Sequence, residues 1–402
     1  MDIEKIRKDF PILNKKINGK NIIFFDNSSL SLKPKQVIDS MNEYYIYYSG
    51  NLGHGLHTLH RKTTEKCEEA RQKILKFING KKGKIIWTKN TTESINLVAN
   101  GFNFKRGDKV LLTNLEHAST LVPFQKLAEK GLIDLDFVLC DKEGRFNLED
   151  FENKIDKKTK MVSVIFTSQI TGTTAPMKEI IKISHDYGAK VLSDGAEAIP
   201  HLHMDMKKLD LDFIAFSSHK MCGPAGMGCL YGKNEVIEKI SPFLVGGETI
   251  LDSDLNYHKF EKIPERLEGG VQNMSGIIGI GAAVEYLGNI GMKNIEKYEK
   301  KLTKNLIEGL MGIPELSLIG PKDHEKNPVA CFNINGIKHH TIAIVLDKES
   351  ILIKSGGHCT YQFFKFINQP KGSLRASLYF YNTKEEIDIF LERLKHIIKV
   401  LR

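Results

Sequence analysis

The segment Ser217-Ser218-His219-Lys220 follows the apolar run Leu211-Asp212-Phe213-Ile214-Ala215-Phe216 and sets a lysine at the exit of a buried strand. Lysine is seldom buried unless paired. Withdrawal of a lysine from water favours the neutral amine, the form that condenses with an aldehyde. A second apolar run, Ala189-Lys190-Val191-Leu192-Ser193, ends in Asp194-Gly195-Ala196. One strand end thus offers an amine and another a carboxylate. Alone, such a lysine is usually solvated, and an Asp before Gly is usually a turn residue. Together on one sheet they suit pyridoxal 5'-phosphate (PLP), which takes a lysine at its aldehyde and an acid at its pyridinium nitrogen.

Three further groups fall at strand ends or loops. Asn90-Thr91-Thr92-Glu93-Ser94 opens a helical pattern, Ile95-Asn96-Leu97-Val98-Ala99. Hydroxyls and free amides there make an anion site, although plain N-capping uses the same residues. A phosphorylated cofactor nearby favours the anion reading, with Ser217 and His219 completing the cup. Glu116-His117-Ala118-Ser119 follows the run Lys109–Thr113; His117 suits stacking on a planar ring or carrying protons, or a structural hydrogen bond. Gly356-Gly357-His358-Cys359 gives a mobile glycine loop with a thiol beside an imidazole, a setting that favours the thiolate; the plainer reading is a small residue in a turn. Arg375, inside the apolar pattern Ser373-Leu374-Arg375-Ala376-Ser377-Leu378, needs an anionic partner: a bound carboxylate or an internal Asp or Glu.

The elements that must position these residues are legible as alternating runs. Strand candidates are Lys84–Thr88, Lys109–Thr113, Leu135–Leu139, Met161–Phe166, Ala189–Ser193, Leu211–Phe216 and Gly228–Gly232. Helical patterns separate most of them, which predicts an α/β layer with a mostly parallel sheet and a ligand at the carboxyl ends of its strands. Helices follow over Gly276–Leu287 and Asn294–Met311, then β-rich runs at Ala330–Ile334, Ile351–Lys354 and Leu374–Tyr381. A capping box, Thr383 with Glu386, opens a closing helix marked by Ile387, Phe390, Leu391, Leu394, Ile397 and Ile398. Two domains follow: a large one over 20–285, and a smaller α+β one built from 286–402 with residues 1–19 packed on it.

A chain of 402 residues exceeds one small core. With 41% hydrophobic and 27% charged residues it is of ordinary globular type. The net charge of +9 is spread over single lysines without interleaved aromatics, which argues for solvated surface and against nucleic-acid binding. No apolar run is long enough for a membrane span, and Met1-Asp2-Ile3-Glu4-Lys5 lacks a signal-peptide core. No pair of the 6 cysteines has CxxC spacing, so no metal knuckle or redox pair is indicated. Free thiols in a reducing cytoplasm are expected.

Nearly end to end, the chain resembles the SUF-type (group II) cysteine desulfurases and selenocysteine lyases of the class V aminotransferase family. The resemblance is carried by Phe25-Asp26-Asn27-Ser28-Ser29, Gly55-Leu56-His57-Thr58-Leu59, Thr91-Thr92-Glu93, Glu116-His117, Asp194-Gly195-Ala196, Ser217-Ser218-His219-Lys220, Gly276-Ile277-Ile278-Gly279, His358-Cys359 and Arg375-Ala376-Ser377-Leu378. It implies PLP fold type I, with a mostly parallel seven-stranded sheet in the large domain, a small C-terminal α+β domain and a homodimer with the active site near its interface. By resemblance, Lys220 would hold PLP and shuttle the Cα proton, Asp194 would keep the pyridine nitrogen protonated, and His117 would stack on the ring. Thr91, Thr92, Ser217 and His219 would bind phosphate. Gln169 and Glu197 would face the cofactor. Arg375, His358 and Asn27 would bind the substrate, L-cysteine or L-selenocysteine. The Cys359 thiolate would attack the substrate sulfur, leaving alanine and a persulfide destined for a sulfur-acceptor protein of the SUF type in iron–sulfur cluster or thio-cofactor assembly.

Several positions depart from the family pattern. Gln169 stands for Asn, and Glu197 for a Gln that donates to the phenolic oxygen of the cofactor; a carboxylate there predicts an altered cofactor titration. Val271 replaces a phosphate-binding Thr of the partner subunit, Lys354 an Arg, and His54 an early Arg, while the second His of the usual pair is shifted to His358. These departures keep three alternatives in view: selenocysteine lyase, a C–S lyase or other class V enzyme, and a non-catalytic scaffold of the same fold.

Overall fold

Seven apolar runs become seven strands of one sheet: β1 Gly83–Thr88, β2 Asp108–Thr113, β3 Ile133–Val138, β4 Thr159–Ile165, β5 Lys190–Asp194, β6 Phe213–Ser217 and β7 Gly228–Lys233. Their order is β1-β7-β6-β5-β4-β2-β3, and only β7 runs antiparallel to its neighbours. The computed structural model describes residues 1–53, 55–323 and 326–402; His54 lies outside the described residues.

The central runs are largely apolar because both faces of the sheet are covered, while the edge strand β3 carries Asp134 and Asp136. Successive residues face opposite layers. Ile85, Trp87, Leu111, Ile214 and Phe216 join the core beneath α1 Lys35–Tyr47, α2 Thr58–Phe77 and the later helix Met274–Ile290. Ile86, Val110, Leu112, Phe213 and Ala215 join the core beneath α3 Thr91–Gly101 and α4 Ala118–Glu129. Helix α5, Met177–Asp186, packs on the first of these layers.

Helices α6 Met274–Ile290 and α7 Met292–Met311 lead to a second sheet. Its strands are β8 Leu316–Ile319, β9 Val329–Ile334, β10 Lys354–Gly356 and β11 Ser373–Ser377, in the antiparallel order β8-β9-β11-β10. Helix α8, His339–Lys348, lies between β9 and β10, and α9, Lys384–Leu401, closes the chain on the capping box of Thr383 and Glu386. A separate core of Phe332, Leu374, Ile387, Phe390 and Leu394 holds this unit together and takes in Ile23 and Phe25. The N-terminal segment is stitched to it by a short parallel pairing of Ile23–Phe24 with Ile351–Leu352, and Arg7 forms an ion pair with Glu386 at 2.8 Å.

Three expectations change. The run Ile351–Lys354 is two strands, one serving each of these pairings. Of Leu374–Tyr381, strand structure stops at Ser377. Tyr379, Phe380 and Tyr381 are all fully buried, which a two-faced strand with one solvated side does not allow; they form an aromatic cluster with Phe10, and Tyr379 stacks edge-on with His201. Strand β8 was not expected at all, being only four residues long; the Gly320-Pro321 turn that follows it was the signal that could have found it.

Candidate active site

Both central residues fall where an open parallel sheet binds ligands, outside the carboxyl ends of its strands. Asp194 is the last residue of β5, and Lys220 ends the short 3-10 turn after the neighbouring β6. A cavity of about 270 Å³ opens above them, lined by Thr91, Thr92, His117, Gln169, Asp194, Glu197, Ser217, His219, Lys220, His358, Cys359 and Arg375, with Ser28, Ser29, Ser119 and Lys354. The fold therefore brings together every expected site residue but one. Asn27 is the correction: it does not line the cavity. Its Nδ2 donates to the carbonyls of Ser377 at 2.8 Å and Phe24 at 3.2 Å, and its Oδ1 accepts from the Tyr381 hydroxyl. Asn27 is a buried clasp between the N-terminal segment and β11.

Lys220 Nζ lies 2.6 Å from Glu197 Oε1, and Ser28 Oγ donates to Glu197 Oε2 at 2.9 Å. Burial pushes the Glu197 carboxyl up, but Lys220, Arg375 and His201 outweigh it and hold the group below its usual range. Glu197 is thus the carboxylate partner of Lys220. The Asp194 carboxylate accepts the Ala196 N–H at 3.0 Å. Burial raises it above the ordinary carboxyl range, against the pull of that N–H and of Lys220. A cation brought against Asp194 reverses this shift, and a pyridinium is such a cation.

His117 caps α4. Its Nδ1 accepts from Ser119 N–H at 3.0 Å, so a neutral ring carries its proton on Nε2. Burial, then the Lys220 and Arg375 charges, lower its pKa to about 4, which keeps the ring neutral. His219 is held at about 4 by burial and by Lys220 and Lys33. Asn90 caps α3, as its residue type predicts. Next to it, Ser217 Oγ accepts from Thr91 N–H at 2.8 Å and lies 2.6 Å from Thr91 Oγ1, while Thr92 Oγ1 sits 2.6 Å from Ser119 Oγ. This hydroxyl cluster at the start of an 11-residue helix suits a phosphate.

On the other wall, Arg375 Nη2 donates to Ser29 Oγ at 2.8 Å and pairs with Asp26 at 3.3 Å. The internal-acid reading of Arg375 is therefore met, yet its Nε is buried without a hydrogen-bond partner among the described residues, as is His358 Nδ1. On Arg375 donor capacity for a bound carboxylate is left over, whereas His358 Nε2 faces the Ser373 carbonyl at 3.2 Å and so carries the ring proton, which leaves Nδ1 an acceptor. Cys359 is the one exposed cysteine; Cys67, Cys140, Cys222, Cys229 and Cys331 are buried, and all six are free. Gln169 lines the cavity, but its Nε2 donates to Thr360 Oγ1 at 2.5 Å.

Sequence reasoning missed Ser28, Ser29 and Ser119. Each sits within two residues of a position it did single out, which is the signal that could have found them. It also passed over Glu116, fully buried behind β4, where Oε1 accepts from Thr113 Oγ1 at 2.7 Å and Ile165 N–H at 3.0 Å. Burial raises its pKa from 4.5 to about 8. The folded protein then keeps a proton that the unfolded chain loses above about pH 4.5. Stability contributed by this group is full below that pH and falls as pH rises towards about 8. Glu116→Gln is expected to flatten this decline; melting temperatures of both proteins across the range check it, and parallel curves would count against it.

A lysine and an acid at the ends of adjacent parallel strands, facing an anion-binding helix start, define a PLP-dependent enzyme of fold type I. The profile of the family described as aminotransferase class-V matches residues 23–390. A probable cysteine desulfurase from Synechocystis sp. is 41% identical over 98% of this chain and 95% of its own. Another from Pyrococcus abyssi is 41% identical over 99% and 98%. The solved structure of a cysteine desulfurase from Thermococcus onnurineus superposes with a TM-score of 0.93 at 40% identity, covering 98% of both chains. The chain belongs to the class-V aminotransferase family.

Proposed function

We propose that this chain is a PLP-dependent cysteine desulfurase that converts L-cysteine to L-alanine and carries the sulfur as a persulfide on Cys359. The observation that carries the reading is that Cys359, the one exposed thiol, lines the same cavity as Lys220 and Arg375. Its relatives named cysteine desulfurases match over nearly their whole length.

The residues divide the work by position. Lys220 and Asp194 would hold PLP at its aldehyde and ring nitrogen, His117 would lie beside its ring, and Thr91, Thr92, Ser217 and His219 would take its phosphate. Bound there, PLP supplies an electron sink that lets the substrate Cα release its proton. Arg375 takes the substrate carboxylate and so orients its sulfur toward Cys359. Lys220 accepts the Cα proton, with Glu197 as its counter-ion. The Cys359 thiolate bonds to the substrate sulfur. As that bond forms, the substrate C–S bond breaks and its electron pair returns to the carbon framework, where protonation gives alanine.

The persulfide then passes to an acceptor protein of the SUF type. A homodimer is part of the reading. Phe243, Leu244, Val245, Leu255 and Val271 are exposed apolar residues, and three of them line a groove of about 640 Å³ beside Asn90 and Glu93, at the phosphate end of the site. A cytoplasmic setting is the accompanying expectation; among the described residues no helix is long and apolar enough to cross a membrane.

The test is alanine production by PLP-loaded protein supplied with L-cysteine and a thiol reductant. Wild-type protein is expected to release alanine and sulfide, and Cys359→Ser neither. Undiminished alanine from Cys359→Ser would remove the thiol from the reaction.

A further inference from the structure

The loop that carries Cys359 is bent against its own backbone preference. His358 and Cys359 lie at φ of 47° and 58°, a left-handed region that residues other than glycine keep only where their surroundings over-determine it. Hydrogen bonds to the large domain supply that determination. Ala118 N–H donates to the Cys359 carbonyl at 2.9 Å. Gln362 Nε2 donates to the Glu116 carbonyl. Gln169 Nε2 donates to Thr360 Oγ1 at 2.5 Å. The first bond is available to any residue at position 359, and the second comes from the helical turn beyond the loop, Tyr361–Phe366. The third joins the cavity wall to the residue next to the thiol. Both of its ends are shielded, Gln169 being 3% exposed and Thr360 fully buried, so water cannot replace the bond cheaply. Thr360 Oγ1 also lies 3.3 Å from the carbonyl of His358, inside the left-handed pair.

We propose that Gln169 is a positioning residue: through Thr360 it latches the Cys359 loop to the cavity wall and so fixes the thiol opposite Lys220. The length of the side chain is what matters. Asparagine, one methylene shorter, cannot span from the same backbone to Thr360 Oγ1. The use made of the thiol rests on the function proposed above, but the latch does not.

Hydrogen exchange in the intact protein tests it without any turnover. The reporting amides are Thr360 N–H, bonded to Gly357, and Ala118 N–H, bonded to Cys359. Gln169→Asn and Thr360→Val are each expected to speed exchange at these amides about 5-fold or more, the loss of one buried hydrogen bond. Exchange in Val329–Ile334 should stay unchanged. Thr360→Ser keeps the oxygen and should restore wild-type exchange. Because both cut the same bond, the double variant should not exceed Thr360→Val, which also removes the hydroxyl beside the His358 carbonyl. Wild-type exchange in both single variants, additive effects, or a loss of protection spread equally into Val329–Ile334 would overturn the latch. Since the two single variants act from opposite domains, misfolding of one leaves the other to decide. A chain that forms no alanine yet shows the expected exchange pattern would retain the latch and lose the function reading.

Discussion

Lys220→Ala lowers alanine formation from L-cysteine by about 10²–10⁴-fold, the usual worth of a positioned general acid–base group. It also has a structural signature of its own. Glu197 is 3% exposed and has Lys220 as its counter-ion. Removing one partner of a buried pair leaves an uncompensated charge and costs about 3–5 kcal/mol. The cofactor-free variant should therefore melt well below the wild type. Adding Glu197→Gln removes the stranded charge and should recover most of that stability without recovering turnover. The two readouts separate chemistry from folding. Activity within tenfold of wild type in Lys220→Ala would contradict the assignment of this lysine, whatever the melting temperature.

Arg375→Lys raises KM for L-cysteine by about 10–100-fold while leaving kcat much less changed. The lysine keeps a positive charge for Asp26, so the internal pair survives. What it loses is the planar fork that meets a carboxylate with two parallel bonds. A hydrogen bond to a charged group is worth about 1.5–3 kcal/mol, and about 1.4 kcal/mol is tenfold in affinity. Because carboxylate binding is common to substrate and transition state, the loss should fall on KM. An unchanged KM would mean that Arg375 serves Asp26 and Ser29 alone.

What the sequence made legible follows from what local chemistry decides. Most strands of the main sheet stand out because strands covered on both faces are largely apolar, so each reads as a run. Asp194 and Lys220 close two of those runs, and the rule that ligands sit at strand ends placed them together. The capping box of Thr383 and Glu386 is likewise a local device and appears as expected. The remainder depends on partners remote in sequence. Asp26 and Arg375 are 349 residues apart, and nothing near either names the other. Gln169 and Thr360, 191 residues apart, meet only because the loop after β10 packs against the cavity wall. Asn27 sits in a motif rich in site residues, yet its amide is drawn inward to the carbonyls of Ser377 and Phe24 at the junction with β11. Tyr379-Phe380-Tyr381 carries strand-like residue types, but the junction between the two cores needs aromatic volume in all directions.

The central claim is that Cys359 receives the sulfur, and one turnover reads it directly. PLP-loaded protein is mixed with one equivalent of L-cysteine without reductant, quenched, and its peptides are weighed by mass spectrometry alongside the alanine formed. One extra sulfur on the peptide containing Cys359, matched mole for mole by alanine, is the predicted result. Alanine formed with Cys359 unmodified and the sulfur free in solution or on another cysteine would contradict it.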